Sequence, residues 1–442
     1  MVSERSDLPG GRAVLKTRAL LAGAALLAAV AAAGCGGTQD DAVPAAGVPG
    51  ITERPCPKAV NKDHGCIYLG IISDLSSSQF KGLGVPMVAS QRAFWDRVNR
   101  QGGIGGYDID AHTYVRDNRY DPATQRRAYN EIKDRVLALA QSLGSPTTEA
   151  ILDDLRATRT IAVPGSYPSK WEFENVILES GASYCLAAMN AVDYAADEFG
   201  AKRVMAVHYA GDYGGDAEAG AKAAAAARKL AYSQIETKQG AAAQDAVVQA
   251  VLARKPDLVV LTTGPSEAAT IIGKTVEAGF KGRFMGSSPT WTKSLLRTSA
   301  AGALKERYLQ VAAWKPFATD SPGHTAMRQA LGRVEPDDAY TSGWVLSYPL
   351  KAVLQKAAAN RNLTREGLYE ALGQITNVDY EGMLPAQAGN TSGTPNAAAF
   401  RESVIARPDE RELTGVKVVT DFAAGPTTKA YRLESPCYET GS

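Results

Sequence analysis

Short apolar runs alternate with amphipathic stretches through most of this chain, a rhythm that predicts βαβ units and largely parallel sheets. Residues 66–73 (CIYLGIIS) form a continuous apolar run of strand length. Val88, Phe94, Trp95 and Val98 mark one apolar stripe of a helix over 86–99. A turn built from Gly102, Gly103, Gly105 and Gly106 leads into an alternating strand over 108–115, and 122–134 reads as a helix. Short strands are predicted at 136–140 and 160–163. After a break near 180–185 a second series begins: helix 187–199, strand 203–208, an Ala-rich helix 216–230, strand 233–236, helix 243–253, strand 257–261, helix 266–278 and strand 283–285. Residues 309–317 predict a strand that leads into a return crossover, so that helices 341–359 and 364–373 pack on the first series. The tail after Tyr380 is rich in Gly, Pro and Thr, and its strand-like pieces at 403–406 and 416–420 are expected to rejoin the second series.

The fold class read from this order is α/β, with two lobes that are each a mostly parallel sheet flanked by helices. A chain of 442 residues also exceeds one ordinary hydrophobic core. The expected division is a first lobe over 56–184 with 312–380 and a second over 185–311 with 381–442.

The N-terminus departs from this rhythm. Arg5, Arg12, Lys16 and Arg18 precede an uncharged apolar run over 19–33, followed by Gly34 and Cys35. This is the order of a secretory signal. The run is shorter than the ~20 apolar residues that a membrane span needs. Ala32-Ala33-Gly34-Cys35 resembles the bacterial lipobox, which implies cleavage after residue 34 and a lipid on Cys35. Two or more acyl chains anchor a protein firmly where one does not. Residues 35–55, rich in Gly, Ala, Pro and acids, read as a tether. The expected location is therefore extracytoplasmic and lipid-anchored to the cell membrane.

Four of the 48 basic and two of the 47 acidic residues precede Cys35, so the mature chain carries 44 basic and 45 acidic residues and a formal charge of −1. That balance argues against a nucleic-acid partner. Cys56, Cys66, Cys185 and Cys437 remain, an even count that suggests two disulfides outside the cytoplasm. Three pairings are open; proximity favours Cys56–Cys66, leaving Cys185–Cys437 to tie down the tail. His64, His112, His208 and His324 are scattered without ligand spacing, and no Cys-x-x-Cys occurs, so neither a metal nor a cofactor is expected.

Motifs for enzymatic chemistry fare poorly. The Gly102–Gly106 turn precedes a strand, whereas a dinucleotide loop follows one. Gly273-Lys274-Thr275 lacks the glycine a phosphate loop requires, since Ala268 holds that place. No Gly-x-Ser-x-Gly elbow is present. Asp153-Asp154 and Asp337-Asp338 read as solvated acids. The segments after the strand ends are different: 74–80, 141–148, 165–167, 209–215, 262–267 and 286–291 gather hydroxyls, glycines and aromatics. Ligands of open α/β sheets bind outside the carboxyl ends of the strands, and this composition suits hydrogen bonding and stacking better than acid–base catalysis.

The stretches IYLGIISDLSSS, FWDRVNRQGGIGGYDIDAHTYVRDNRYDPATQ, FGAKRVMAVHYAGDYGGDAEAG and PDLVVLTTGPSEAATIIGKTVEAGFKGRFMGS, in this order, resemble the branched-chain amino-acid (leucine/isoleucine/valine) binding proteins of ABC transporters. The resemblance covers residues ~66–380 and implies a type I periplasmic-binding fold that closes on a solute and is then recognised by an ABC permease in the membrane. It places Ser145 at the helix start that grips the ligand's polar end, Gly165, Ser166 and Tyr167 in the next loop, and Tyr213-Gly214 as the aromatic of the second lobe. The acid that pairs an amino acid's ammonium is replaced by Ser287-Ser288-Pro289, with Asp74 or Asp212 as substitutes from other loops. The expected ligand is a small polar organic solute, such as a carboxylate, an amide or an aromatic compound, and not a standard amino acid. Its contacts are expected from Phe80, Ser145, Gly165, Ser166, Tyr167, Asp212, Tyr213, Gly264, Ser288 and Trp291, with Tyr167, Tyr213 and Trp291 packing its apolar part. The chain is expected to act as a monomer and not as an enzyme. The rival readings are a ligand-sensing receptor lipoprotein and a cell-envelope interaction protein of the same fold.

Overall fold

The computed structural model describes residues 47–77 and 80–439. The predicted signal over 1–34, Cys35 and the tether up to residue 46 lie outside the described residues.

Two sheets organise the chain. In the first, β2 (Gly65–Ser73) pairs in parallel with β3 (Tyr107–Asp117) and with β4 (Ala138–Ser142), and antiparallel with the short β1 (Ile51–Thr52). β1 corrects the extent of the tether. Gly50, at φ +78°, lies so close to Val136 and Leu137 that an added Cβ would sit 2.0 Å from the Leu137 nitrogen. Val48 and Ile51 pack against the core, so these apolar residues pull the end of the polar segment into the sheet. The predicted strand over 160–163 is reduced to one residue, Ala162, with two parallel bridges, to Leu139 and to Ile177.

The second sheet has seven strands in the order β11-β10-β9-β8-β7-β5-β6. Strands β5 (Arg203–Tyr209), β6 (Ala231–Thr237), β7 (Leu258–Thr262), β8 (Arg283–Ser287) and β9 (Tyr308–Ala312) run parallel. The tail closes the edge with β10 (Ser403–Pro408) and β11 (Val416–Ala423), both antiparallel additions. Side chains alternate between two faces along each strand. Val204, Ala206, Leu258 and Val260 face one core cluster with the helices Tyr184–Phe199 and Asp212–Ala227. Met205, Val207, Val259 and Leu261 face the other, with Asp245–Arg254 and Pro265–Glu277. The Ala-rich composition lets the first helix pair approach closely. At Gly220 an added Cβ would sit 2.1 Å from the Cys185 carbonyl oxygen.

The chain passes between the sheets three times: after Ile177, after Ala312 and after Tyr380. Between the second and third passages it forms the helices Pro322–Leu331, Asp338–Val345, Ser347–Ala359 and Arg365–Leu372, which bury Met327, Trp344, Leu350 and Leu368 in the first sheet's core. There Phe94 of the helix Lys81–Arg100 meets Trp344 and Tyr348 edge to face, with ring centroids 5.1 and 4.9 Å away. The helix predicted over 341–359 is two helices meeting at Leu346, because Pro349 has no N–H for the Val345 carbonyl. The helices Ala301–Arg307 and Pro322–Leu331 are additions to the sequence reading; Ser321, whose side chain accepts the His324 N–H, and Pro322 are start signals for the second. Asp337 and Asp338 are not simply solvated: Asp337 caps a helix through the Ala339 N–H, and Asp338 accepts the Phe317 N–H at 2.8 Å. Burial raises the Asp338 carboxyl to about 6.

Both disulfides are present, Cys56–Cys66 and Cys185–Cys437, spanning 10 and 252 residues. Among the described residues no helix is long and apolar enough to cross a membrane. A crosslink stabilises chiefly by restricting the unfolded chain, more so for longer loops. Replacing Cys185 and Cys437 together by Ala is expected to cost about 2–4 kcal/mol in chemical denaturation, and replacing Cys56 and Cys66 less.

Candidate functional site

The loops after β2, β3 and β4 bring together Phe80, Tyr120 and Ser145. Asp74 organises the first of them: its carboxylate accepts the N–H of Ser77 at 2.9 Å, the N–H of Phe80 at 3.0 Å and the Ser77 hydroxyl. Asp74 is fully buried and spends its oxygens on its own loop, which makes it a poor substitute for the missing acid. Phe80 then lies against Tyr120, with centroids 4.3 Å apart. Tyr120 in turn covers Gly144, where an added Cβ would meet its ring at 2.4 Å, at a backbone φ of +101° that favours glycine.

Ser145 begins the helix Ser145–Glu149 and donates its hydroxyl to Ser166 Oγ at 2.9 Å. Trp171 Nε1 donates to the same oxygen at 3.3 Å. Gly165, at φ +59°, allows this turn against Leu143 and Met87. Tyr167 follows, only 4% exposed, and its hydroxyl makes no close hydrogen bond, with the Ser342 side chain beside it. Its ring lies 6.0 Å from Tyr184 and 5.6 Å from Trp314. The resemblance-based group Ser145, Ser166 and Tyr167 is thus contiguous.

From the second sheet, Gly211 at φ +89° starts the helix Asp212–Ala227. Gly214 sits against the Tyr209 carbonyl so tightly that a Cβ would be 1.9 Å from its oxygen. This contact fixes Tyr213, whose hydroxyl shares a 2.6 Å hydrogen bond with Ser287 Oγ and whose ring meets Tyr184 at 4.9 Å. Gly264 donates its N–H to the Tyr209 hydroxyl at 2.8 Å, one loop away from these rings. Ser288 opens a short turn whose carbonyl accepts Gln310 Nε2 at 3.4 Å. Trp291 does not join the tyrosines: it stacks on Tyr308 at 5.5 Å, and its Nε1 donates to the Thr414 carbonyl at 3.1 Å within the second lobe's core. The sequence alone gave no sign of that tail contact.

Lys170 joins the two halves. Its ammonium pairs with Glu149 and lies 3.9 Å from Asp212 Oδ2. Next to it, Asp216 accepts the N–H groups of Ser169 at 3.0 Å and of Cys185 at 2.8 Å, together with the Ser169 hydroxyl. Tyr120, Tyr184, Lys170, Trp314 and Glu179 are absent from the sequence-based list. Tyr120 follows the end of β3 and Tyr184 opens the helix Tyr184–Phe199, signals that could have found them. The crossover residue Glu179 carried none.

Burial raises the phenols of Tyr120 and Tyr184, and the nearby Asp212 carboxylate raises both further. Tyr213 is pushed up to about 12, again by burial. Among the described residues no group of three or more His, Cys, Asp or Glu could hold a metal ion. Two surface hollows lie elsewhere, about 470 Å³ beside Arg156 and Tyr369 and about 590 Å³ beside Ile51 and Leu363.

Paired α/β lobes whose strand-end loops meet around polar and aromatic groups define a two-lobed solute-binding protein. The family model described as periplasmic binding protein matches residues 67–422, and the chain belongs to that family. The resemblance read from the sequence is borne out at this level. Among solved structures, a fatty acid ABC transporter substrate-binding protein from Thermomonospora curvata is 27% identical, with 87% of this chain and 96% of that chain covered and a TM-score of 0.76. A branched-chain amino-acid ABC transporter protein from Thermus thermophilus with bound valine is 17% identical, covering 83% and 98%, with a TM-score of 0.70. A leucine-binding protein from Thermotoga maritima is 16% identical, covering 81% and 99%, with a TM-score of 0.65. The last two share the fold. A search of curated proteins finds no significant match.

Burial also sets a pH dependence. It raises Glu172 to about 7 and Glu179 well above the carboxylate range. The groups facing them are Asp216 and Lys170, with Arg401 beside Glu172 and Tyr167 beside Glu179. Acids with raised folded-state values hold protons that the unfolded chain releases, so their contribution is full below about 4.5 and is lost as pH rises through about 7. The melting temperature of the solute-free protein is expected to fall across that window, and Glu179→Gln is expected to flatten part of the fall.

Proposed function

We propose that this chain is the extracytoplasmic solute-binding component of an ABC importer and captures a small polar organic solute between its two lobes. The observation that carries this reading is the chain of rings Tyr167, Tyr184 and Tyr213, with centroids 6.0 and 4.9 Å apart, which joins loops of the two sheets, and the buried Tyr167 hydroxyl that makes no close hydrogen bond. A buried polar group without a partner is costly in a native structure and marks a place for a bound group. Ser145 and Ser166 would meet the solute's polar end, and Phe80, Tyr167 and Tyr213 its apolar part. Asp212, Gly264 and Ser288 would line the second-lobe side, while Gly165 shapes the first-lobe loop. Closure would exclude water, and a permease would recognise the closed form.

The relatives support a transport setting without fixing the solute. The Thermomonospora curvata protein is described as binding fatty acid and the Thermus thermophilus structure holds valine. Serine at 287 and 288, where the amino-acid binders are expected to place an acid, speaks against a standard amino acid here.

Thermal-shift screening with amides, aromatic acids, amines and amino acids is expected to reveal at least one class that raises the melting temperature. Ser145→Ala combined with Tyr213→Ala is expected to weaken that class about tenfold or more. If no class shifts the melting temperature and the double variant changes no affinity, the assigned site is wrong.

Anchoring at Cys35 belongs to the same proposal. Mass spectrometry of the mature N-terminus is expected to find a lipid-modified Cys35, and an unlipidated start at another residue would overturn the anchor.

A further inference from the structure

Glu179 sits where the chain first passes between the sheets. Both of its carboxylate oxygens are sealed from solvent and neither has a hydrogen-bond partner. Asp212, on the other lobe, has one sealed oxygen, Oδ2, without a hydrogen bond; Lys170 stands 3.9 Å from it, beyond hydrogen-bonding reach. The hydroxyl of Tyr167, with Ser342 beside it and no close hydrogen bond, lies in the field of Glu179. An ionised carboxylate taken out of water without a partner costs several kcal/mol or more, so it either takes up a proton or waits for a cation.

The surroundings favour a cation. Lys170 is the basic side chain of this group, and Glu149 already engages it. Ser145 gives its proton to Ser166, which also receives the Trp171 N–H, so these hydroxyls are turned toward each other. A carboxylate arriving here would meet Asp212 and Glu179 with no free positive group to balance it. The tyrosine faces have the opposite preference, because an aromatic ring attracts an ammonium group over its face.

We propose that the cleft takes an organic ammonium ion rather than a carboxylate, its charge balanced by Glu179 with Asp212 opposite and its carbon chain walled by Tyr120, Tyr167 and Tyr184. The inference rests on the reading of the chain as a solute-binding protein. It moves the acidic partner from the strand-end turn at Ser288 to the crossover. Glu179 holds a proton in the empty cleft, facing Glu172, Asp216, Lys170 and Tyr167, and gives it up to solvent when the ammonium ion enters.

Isothermal titration with n-pentylammonium, pentanamide and pentanoate, which differ only in the head group, tests this. The ammonium compound is expected to bind about tenfold or more tightly than either other probe, and Glu179→Gln to weaken it about ten- to hundredfold and so to abolish its preference over pentanamide. Titrations at about pH 6 in two buffers of different ionisation enthalpy are expected to show proton release from the natural protein and none from Glu179→Gln. If Glu179→Gln does not fold, Asp212→Asn is expected to weaken n-pentylammonium selectively. Equal or tighter binding of pentanoate or pentanamide overturns the inference, as does no binding of n-pentylammonium or an unchanged affinity in the variant. None of those results touches solute capture, which falls only if every solute class fails to shift the melting temperature.

Discussion

The Asp216 carboxylate ties together segments that the chain order keeps far apart. It receives the N–H of Ser169 from the loop beside the first sheet, the N–H of Cys185 from the crossover helix, and the Ser169 hydroxyl. That hydroxyl oxygen also accepts the Cys437 N–H at 2.7 Å, and Cys437 is bonded to Cys185. Residues of the proposed site hang from this knot. Asp212 and Tyr213 lie one helical turn before Asp216, Lys170 follows Ser169, and Tyr184 precedes Cys185. Each therefore inherits its position from a hydrogen bond or covalent bond next to it in sequence, as a precise binding site requires of its supporting residues.

Much of the architecture was legible because burial writes its period into the chain. The strands of the second sheet are covered on both faces and read as continuous apolar runs, such as LVVLT over Leu258–Thr262. The crossover helices followed from their stripes, and the returning tail from its strand-like pieces. What escaped were features set by tertiary contact. The break at Leu346 depends on one missing amide, and the bridge at Ala162 is too short to carry a pattern. Trp291 looked like a cleft aromatic because it follows a strand end, and only the Thr414 carbonyl, 123 residues on, shows it to be a core residue.

The proposed site was legible only in part for the same reason. Ser145, Ser166, Tyr167 and Tyr213 stand at strand ends, and strand ends can be counted from a sequence. Glu179 and Lys170 owe their place to the path of the chain between lobes, which no local pattern encodes. The consequence is electrostatic: the chain as a whole is close to neutral in formal charge, while Glu172, Glu179, Asp212 and Asp216 gather with Lys170 and Arg401 as the basic groups beside them. Composition averages over this contrast and conceals it.

The Cys185–Cys437 bond gives this arrangement an order in time. The last strand of the second sheet ends at Ala423, ahead of Cys437, so every strand of both sheets is synthesised before the sulfur that locks Cys185. The crosslink also needs an oxidising compartment. Without that bond the Tyr438 ring is held against Gly215, and the Cys437 N–H against Ser169, only by weak contacts. Oxidation thus acts as a late fastening, applied to sheets whose strands are already complete.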